Sequence, residues 1–265
     1  MSQIRLFIAV LLAVILAACA AVPGQRDIIT LSIVGTNDVH GAIAASEEAG
    51  GLVAVSAYVD ALRRARAADG GAVLLIDAGD MWQGTLASNL AEGRPVVDAY
   101  NALGYAAAAV GNHDFDFGPL GPKPIPDSDD DDPQGALRQR AREADFPLLA
   151  ANLVDEQTGR VVDWENVYPS TMVSVEGMDV GIVGVSTEYT LQTTIAANTV
   201  GLRIAPLDEA IAGEARALRE QGAELVIVLA HAGGRCTSFD DPRDLSSCNP
   251  NSEIIRLANA LPAGL

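Results

Sequence analysis

Four short runs of small and branched apolar residues in this chain each break off onto side chains that carry lone pairs. "LSIVG" runs into Asp38 and His40, "VLLIDAG" into Asp80, "AAAAV" into Asn112, His113, Asp114 and Asp116, and "VIVLA" into His231. Apolar runs of this length, bounded by turn residues and separated by stretches of helical period, read as buried strands of an α/β domain. Ligands of open α/β sheets gather beyond the carboxyl ends of the strands, so four such ends can converge on one crevice. All three histidines of the chain, His40, His113 and His231, fall at these ends.

Taken singly, each residue has an ordinary structural use. Asp38 suits a turn through "TNDVHG", Asp80 suits a helix N-cap, and His231 suits a hydrogen-bonded histidine beside a Gly pair. Taken together they form a mixed oxygen and nitrogen donor set, which suits Zn, Mn or Fe better than a soft-metal thiolate site would. Asp38 and His40 are two apart, a spacing that in extended backbone puts both side chains on one face. Gly111 and Gly118 flank "NHDFDF" and let the backbone turn sharply there.

The pattern along the chain predicts a strand ending near Gly35, then a helix over "GLVAVSAYVDALRRARAADGG" with Leu52, Val55, Val59 and Leu62 on one stripe. It continues with a strand at "AVLLIDAGD", helical pieces broken near Gly93 and Pro95, and a third strand into the Asn112 motif. Residues 121–135 read as loop, and the Asp run inside them as solvated charge, since it lacks the interleaved geometry of a calcium loop. A helix at "ALRQRAREAD", a strand at "FPLLAANLV", a hairpin at "TMVSVEGMDVGIVGVS", a helix at "PLDEAIAGEARALREQG" and a strand at "ELVIVLAHAGG" follow. Mixed hairpin and crossover connections predict a partly antiparallel arrangement.

A length of 265 residues with 49% hydrophobic content provides for a substantial core. The net charge of -18 argues against nucleic acid or an anionic membrane surface held by charge, while a small anionic substrate is compatible if cations supply the missing positive charge. The first residues, "MSQIRLFIAVLLAVILAACA", place Arg5 before an apolar stretch at 6–16, a secretory signal too short for a comfortable membrane span. "LAAC" resembles the lipobox of bacterial lipoproteins. That implies a signal peptide over 1–18, lipidation at Cys19, a linker over 19–27, and export to a membrane facing the periplasm or exterior, with the lipid anchor as the only membrane contact. In such an oxidising compartment Cys236 and Cys248 are expected to form a disulfide rather than remain two free thiols.

"NDVHG", "GDMWQG", "GNHDFDFG" and "AHAGG", in that order, resemble successive motifs of the calcineurin-like metallophosphoesterases, and "GNHDFDFG" resembles the 5′-nucleotidase branch. The resemblance runs from about Ile28 to the last residue. It implies an α/β fold of the metallophosphoesterase type, a β-sandwich of mixed sheets flanked by helices in four αββα layers. It also implies two divalent metal ions, Zn, Mn or similar. Asp38 and His40 would hold the first, Asp80 would bridge, and Asn112 and His231 would hold the second. His113 would face the phosphate without binding metal, oriented by Asp116, and the two would be the catalytic pair. A bridging carboxylate offsets the repulsion of two cations, which lower the pKa of a water for attack on phosphorus. The implied activity is hydrolysis of a small phosphoester, a nucleotide above all, with nucleotide sugars, cyclic nucleotides and thiosulfonates as substrates of the same scaffold. A metal- or partner-binding lipoprotein without catalysis is the reading from another class. The resemblance also brings a Gly-His-x-His or Gly-His-x-Gln motif and a second domain that are not found before "ANALPAGL". Residues 28–265 are therefore expected to be a catalytic domain truncated at its C-terminus and poorly active by itself.

Overall fold

The computed structural model describes residues 28–47, 50–241, 243–262 and 264–265. The expected signal peptide, Cys19 and the linker lie outside the described residues. Strand β1 (Leu31–Thr36) pairs in parallel with β2 (Ala72–Asp77), and β3 (Ala107–Ala109), β4 (Leu148–Leu149) and β6 (Val167–Tyr168) extend the sheet in the order β1-β2-β3-β4-β6. This sheet is parallel throughout. Among the strands, antiparallel pairing occurs in the hairpin of β7 (Ser170–Val175) with β8 (Met178–Ser186) and in the pair β5 (Leu153–Asp155) with β9 (Leu202–Ile204). Strand β10 (Leu225–His231) joins β8 in parallel, giving a second sheet in the order β10-β8-β7.

Alternation along the strands explains the layers. Leu74 and Ile76 of β2, Ala107 and Ala109 of β3, and Leu149 of β4 pack against Val180, Ile182 and Leu229 of the second sheet. The intervening Leu75, Ala108 and Leu148 face a different core, shared with α1 (Gly51–Asp69), α3 (Arg94–Leu103) and α4 (Gly135–Glu143), through Leu52, Val59, Val97, Tyr100 and Leu137. A single turn of helix, α2 (Leu86–Asn89), leads into α3. Val183 and Val185 of β8 turn to a third core with Ile211 and Leu218 of α6 (Leu207–Glu220) and Leu257 of α7 (Glu253–Ala260). Helices, sheet, sheet and helices make the four-layer αββα sandwich.

One local expectation is corrected. "FPLLAANLV" is not one strand. After Ala150 donates to Tyr168 O (2.8 Å), Ala151 donates instead to Gly184 O (2.7 Å), and buried Asn152 exchanges hydrogen bonds with the backbone of Ser186 (2.7 and 2.9 Å), so the chain leaves the first sheet before β5. The helical pieces break near Gly93 and Pro95 as expected: Gly93 adopts φ of 85°, and Pro95 sits in the first turn of α3, where its missing N–H costs nothing. Helix α7 has no counterpart in the sequence pattern described above. In the loop between β10 and α7, Cys236 and Cys248 form the expected disulfide. The Asp run is a charge-paired loop, with Lys123 bonded to Asp127 and Asp131, and Arg138 to Asp132.

Candidate metal centre

The carboxyl ends of β1, β2, β3 and β10 open onto one cleft of about 940 Å³, lined among others by Asp38, His40, Asp80, Asn112, His113 and His231. Its floor is a pair of irregular loops that extend the β1–β2 register by backbone bonds: Asp38 N to Gly79 O, His40 N to Asp80 O and Gly41 N to Met81 O, all 2.9–3.0 Å. Asp38, His40 and Asp80 adopt φ of 49°, 47° and 59°. Asp38 and His40 thus meet through left-handed backbone and not, as their spacing suggested, through an extended segment. Non-glycine residues in this region are uncommon and concentrate at functional sites. Gly111 cannot be replaced without moving Asp80, because a Cβ there would lie 2.1 Å from Asp80 Oδ1.

Two histidines are aimed the same way. His40 Nδ1 lies 2.8 Å from Gln83 O and His231 Nδ1 lies 2.9 Å from Ala78 O. A carbonyl only accepts, so each Nδ1 donates, and each ring turns its Nε2 toward Asp80 Oδ2, at 3.9 Å from His40 and 3.3 Å from His231. His40 Nε2 also lies 3.8 Å from Asp38 Oδ1, and His231 Nε2 lies 2.9 Å from Asn112 Oδ1. Asp38, Asp80 and His231 each offer a ligand atom within 4.8 Å of the others, a group that can hold a metal ion. Asp80 is buried and anchored through its other oxygen, Oδ1, by the His113 N–H at 2.8 Å.

The donor chemistry fits cations. Nε2 of His231, Oδ1 of Asn112 and Oδ2 of Asp80 are lone-pair atoms turned on one another, and such a set calls for positive charge between them. His231 shows the same demand: burial opposes its charge, but the hydrogen bond to Asp80 and that carboxylate's field overcome it and raise the pKa to about 9. For Asp80, burial likewise opposes the charge and His231 overcomes it, so its pKa is lowered.

Asp114 and Asp116 divide the remaining work. Asp114 is buried and accepts the N–H groups of Gly111 (2.8 Å), Met81 (2.9 Å) and Asp80 (3.3 Å), clamping the two loops together; burial and the nearby Asp80 charge raise it to about 7. Asp116 Oδ2 faces His113 Nδ1 at 2.7 Å. Burial lowers the pKa of His113, but Asp116 and the field of Asp80 outweigh it and the net shift is upward. The His113 ring stands edge-on to His40 with centroids 5.4 Å apart, beside the ligand cluster but not in it.

The sequence reading missed Asp77, which continues the apolar alternation of β2 to its end and must therefore be bonded. It accepts Thr36 Oγ1 (2.6 Å), Tyr100 Oη (2.8 Å) and the Gly79 N–H (2.7 Å) beneath the cluster, and burial raises it to about 6. Because that value lies above the unfolded 3.8, the folded state holds the proton more tightly. The associated stability, about 3 kcal/mol, is present in full below pH 3.8 and is lost as pH rises through about 6. Asp77→Asn should therefore lose less stability than the wild type between pH 4 and 8, as read from melting temperatures of the metal-free proteins. Identical pH slopes would contradict this.

Comparison with known proteins agrees with the geometry. No protein-family model matches the chain. The 5′-nucleotidase of Diplobatis ommata is 32% identical over 225 residues, 81% of this chain and 35% of that protein. Over that stretch the chain is similar to 5′-nucleotidases. Among solved 5′-nucleotidase structures, the precursor from Thermus thermophilus superposes with a TM-score of 0.59 at 27% identity, over 76% of this chain and 36% of that one. The calcineurin-like phosphoesterase YfkN of Bacillus subtilis, 20% identical, shares the fold with a TM-score of 0.61, over 79% of this chain and 64% of that one. The chain spans about a third of the length of the 5′-nucleotidase relatives it matches. No helix among the described residues is long and apolar enough to cross a membrane.

Proposed function

We propose that residues 28–265 form the metal-binding catalytic region of a hydrolase of nucleotide phosphoesters. The observation that carries this is the convergence of His40 Nε2 and His231 Nε2 on Asp80 Oδ2, each ring held by a backbone carbonyl at its other nitrogen. In this reading Asp38 and His40 would hold one divalent cation, Asn112 and His231 would hold a second, and Asp80 would serve both. Zn or Mn fits the oxygen and nitrogen donors. Two such cations supply Lewis acidity and make water a nucleophile near neutral pH.

The chain's own residues do the rest. Asp80, fixed by the His113 N–H, sets the spacing of the two sites. The Asn112 oxygen adds a neutral ligand that leaves the charge for the phosphoryl group. His113, with Nδ1 on Asp116, keeps Nε2 free to hydrogen-bond the phosphoryl group or protonate the departing alcohol. Relatives named 5′-nucleotidase support nucleotides as the substrate class. The "LAAC" stretch supports export with a lipid anchor at Cys19, and the Cys236–Cys248 disulfide is in keeping with an oxidising compartment.

The test is phosphate release from an aryl phosphate and from AMP with added Mn or Zn, against an EDTA control. Weak turnover that EDTA abolishes is the expected result for this region by itself. Tight metal binding with no release from either substrate would instead favour a non-catalytic metal-binding lipoprotein.

A further inference from the structure

The connection from β8 to β9 lies along the 112–118 loop and grips it at three places. Asn198, fully buried, gives its Nδ2 to the carbonyl oxygens of Phe115 (3.0 Å), Asp116 (3.3 Å) and Pro124 (3.1 Å). The carbonyl of Thr193, the last residue of α5 (Thr190–Thr193), accepts Asn112 Nδ2 at 3.4 Å, on the opposite side of the amide from the oxygen that faces His231. Thr194 Oγ1 donates to Asp116 Oδ1 at 2.6 Å.

The last of these bonds has a directional effect. Asp116 Oδ2 is engaged by His113 and Oδ1 by Thr194, so the carboxylate cannot rotate about its own axis without breaking both. With Thr194 removed, one end of the carboxylate is free and the imidazole it holds loses its fixed orientation. Asn198 already ties down the backbone of this loop, so Thr194 is not required for the loop's path; its hydroxyl acts on the side chain alone.

We propose that Thr194 is a positioning residue for the reaction, which sets the Asp116 carboxylate and through it the His113 imidazole. This rests on the phosphohydrolase reading above. Thr and Val have similar volumes, so Thr194→Val removes the hydroxyl's hydrogen bond to Asp116 without opening a cavity, and Thr194→Ser restores it.

The expected result for Thr194→Val is a kcat about 10-fold lower, since small misplacements of a catalytic group are costly. KM should stay within about twofold and metal content should be unchanged, because neither a ligand nor a binding contact is touched. Thr194→Ser should recover most of the rate. In a His113→Ala background, Thr194→Val should cost nothing more, as required of residues acting in series.

A readout independent of activity is the downfield Nδ1–H proton of His113 in protein labelled with ¹⁵N-histidine. It should be present in wild type and Thr194→Ser, and exchange-broadened in Thr194→Val. Wild-type kcat with an unaltered proton signal in Thr194→Val would overturn the proposal, as would an additive loss in the double mutant. If Val does not fold, Thr194→Ala is read against the same outcomes. If the wild type releases no phosphate at all, the phosphohydrolase reading fails and the imidazole signal alone decides the role of Thr194.

Discussion

Asp80→Asn should abolish metal binding and hydrolysis together while leaving the fold intact. The carboxylate has two oxygens in different employment: Oδ1 accepts the His113 N–H at 2.8 Å, and Oδ2 is the atom that both His40 Nε2 and His231 Nε2 approach. An amide at this position keeps its oxygen on the His113 N–H, because its NH₂ cannot accept there. The NH₂ then replaces Oδ2 and points donor hydrogens at the two imidazoles, filling with a neutral donor the space a cation would take. The bridging negative charge disappears as well. On the proposed two-metal arrangement, losing both cations would forfeit several kcal/mol of transition-state stabilisation, so turnover should fall by at least ~10³-fold. Metal content by mass spectrometry should drop from two ions to none, with a far-UV spectrum like that of the wild type. A variant that keeps both ions would remove Asp80 from the bridging position.

Which residues surround this cleft was legible in the sequence because a parallel sheet delivers the carboxyl ends of its strands to one side. Four apolar runs ending on lone-pair side chains can only be neighbours once the runs are strands of packed sheets. How the residues are held was not legible. The partners that aim His40 and His231 are the carbonyls of Gln83 and Ala78, and a backbone oxygen has no signature of its own. Asp38, His40 and Asp80 are themselves not glycines, the residue type that ordinarily marks left-handed backbone, so extended backbone was the natural expectation. Strands β6 and β9, two and three residues long, are shorter than any alternation can reveal, and each exists through its partner. Helix α7 did carry a signal, Ser252 before Glu253 in "SEIIRLANA", but it follows a loop whose disulfide and polar content dominate the local reading. Asp77 and Thr194 were silent for a different reason: their role is to bond other functional groups, and only the fold brings those groups within reach.

His113→Ala should separate catalysis from metal binding. The backbone N–H of residue 113, not its side chain, anchors Asp80 Oδ1, and alanine keeps that donor. Asn112 and His231 remain in contact, and Asp114 still clamps the loops. Metal content should therefore be close to that of the wild type. What disappears is the imidazole that Asp116 holds at Nδ1 and whose Nε2, in the proposed reaction, would serve the phosphoryl group or the leaving alcohol. Removal of a general acid lowers kcat by about 10² to 10⁴-fold and leaves KM comparatively unchanged, since the loss falls on the transition state. The pH profile adds a second criterion. The net upward shift of the His113 pKa means that its protonated form persists to higher pH than that of a free imidazole, and the wild-type rate should decline as pH rises through it. In His113→Ala the part of the decline that His113 produces should be absent, so the residual rate should vary less across that interval. Metal loss in His113→Ala would place the imidazole among the ligands. A full wild-type kcat would remove it from the reaction and leave the water and the cations to act without a proton donor from this chain.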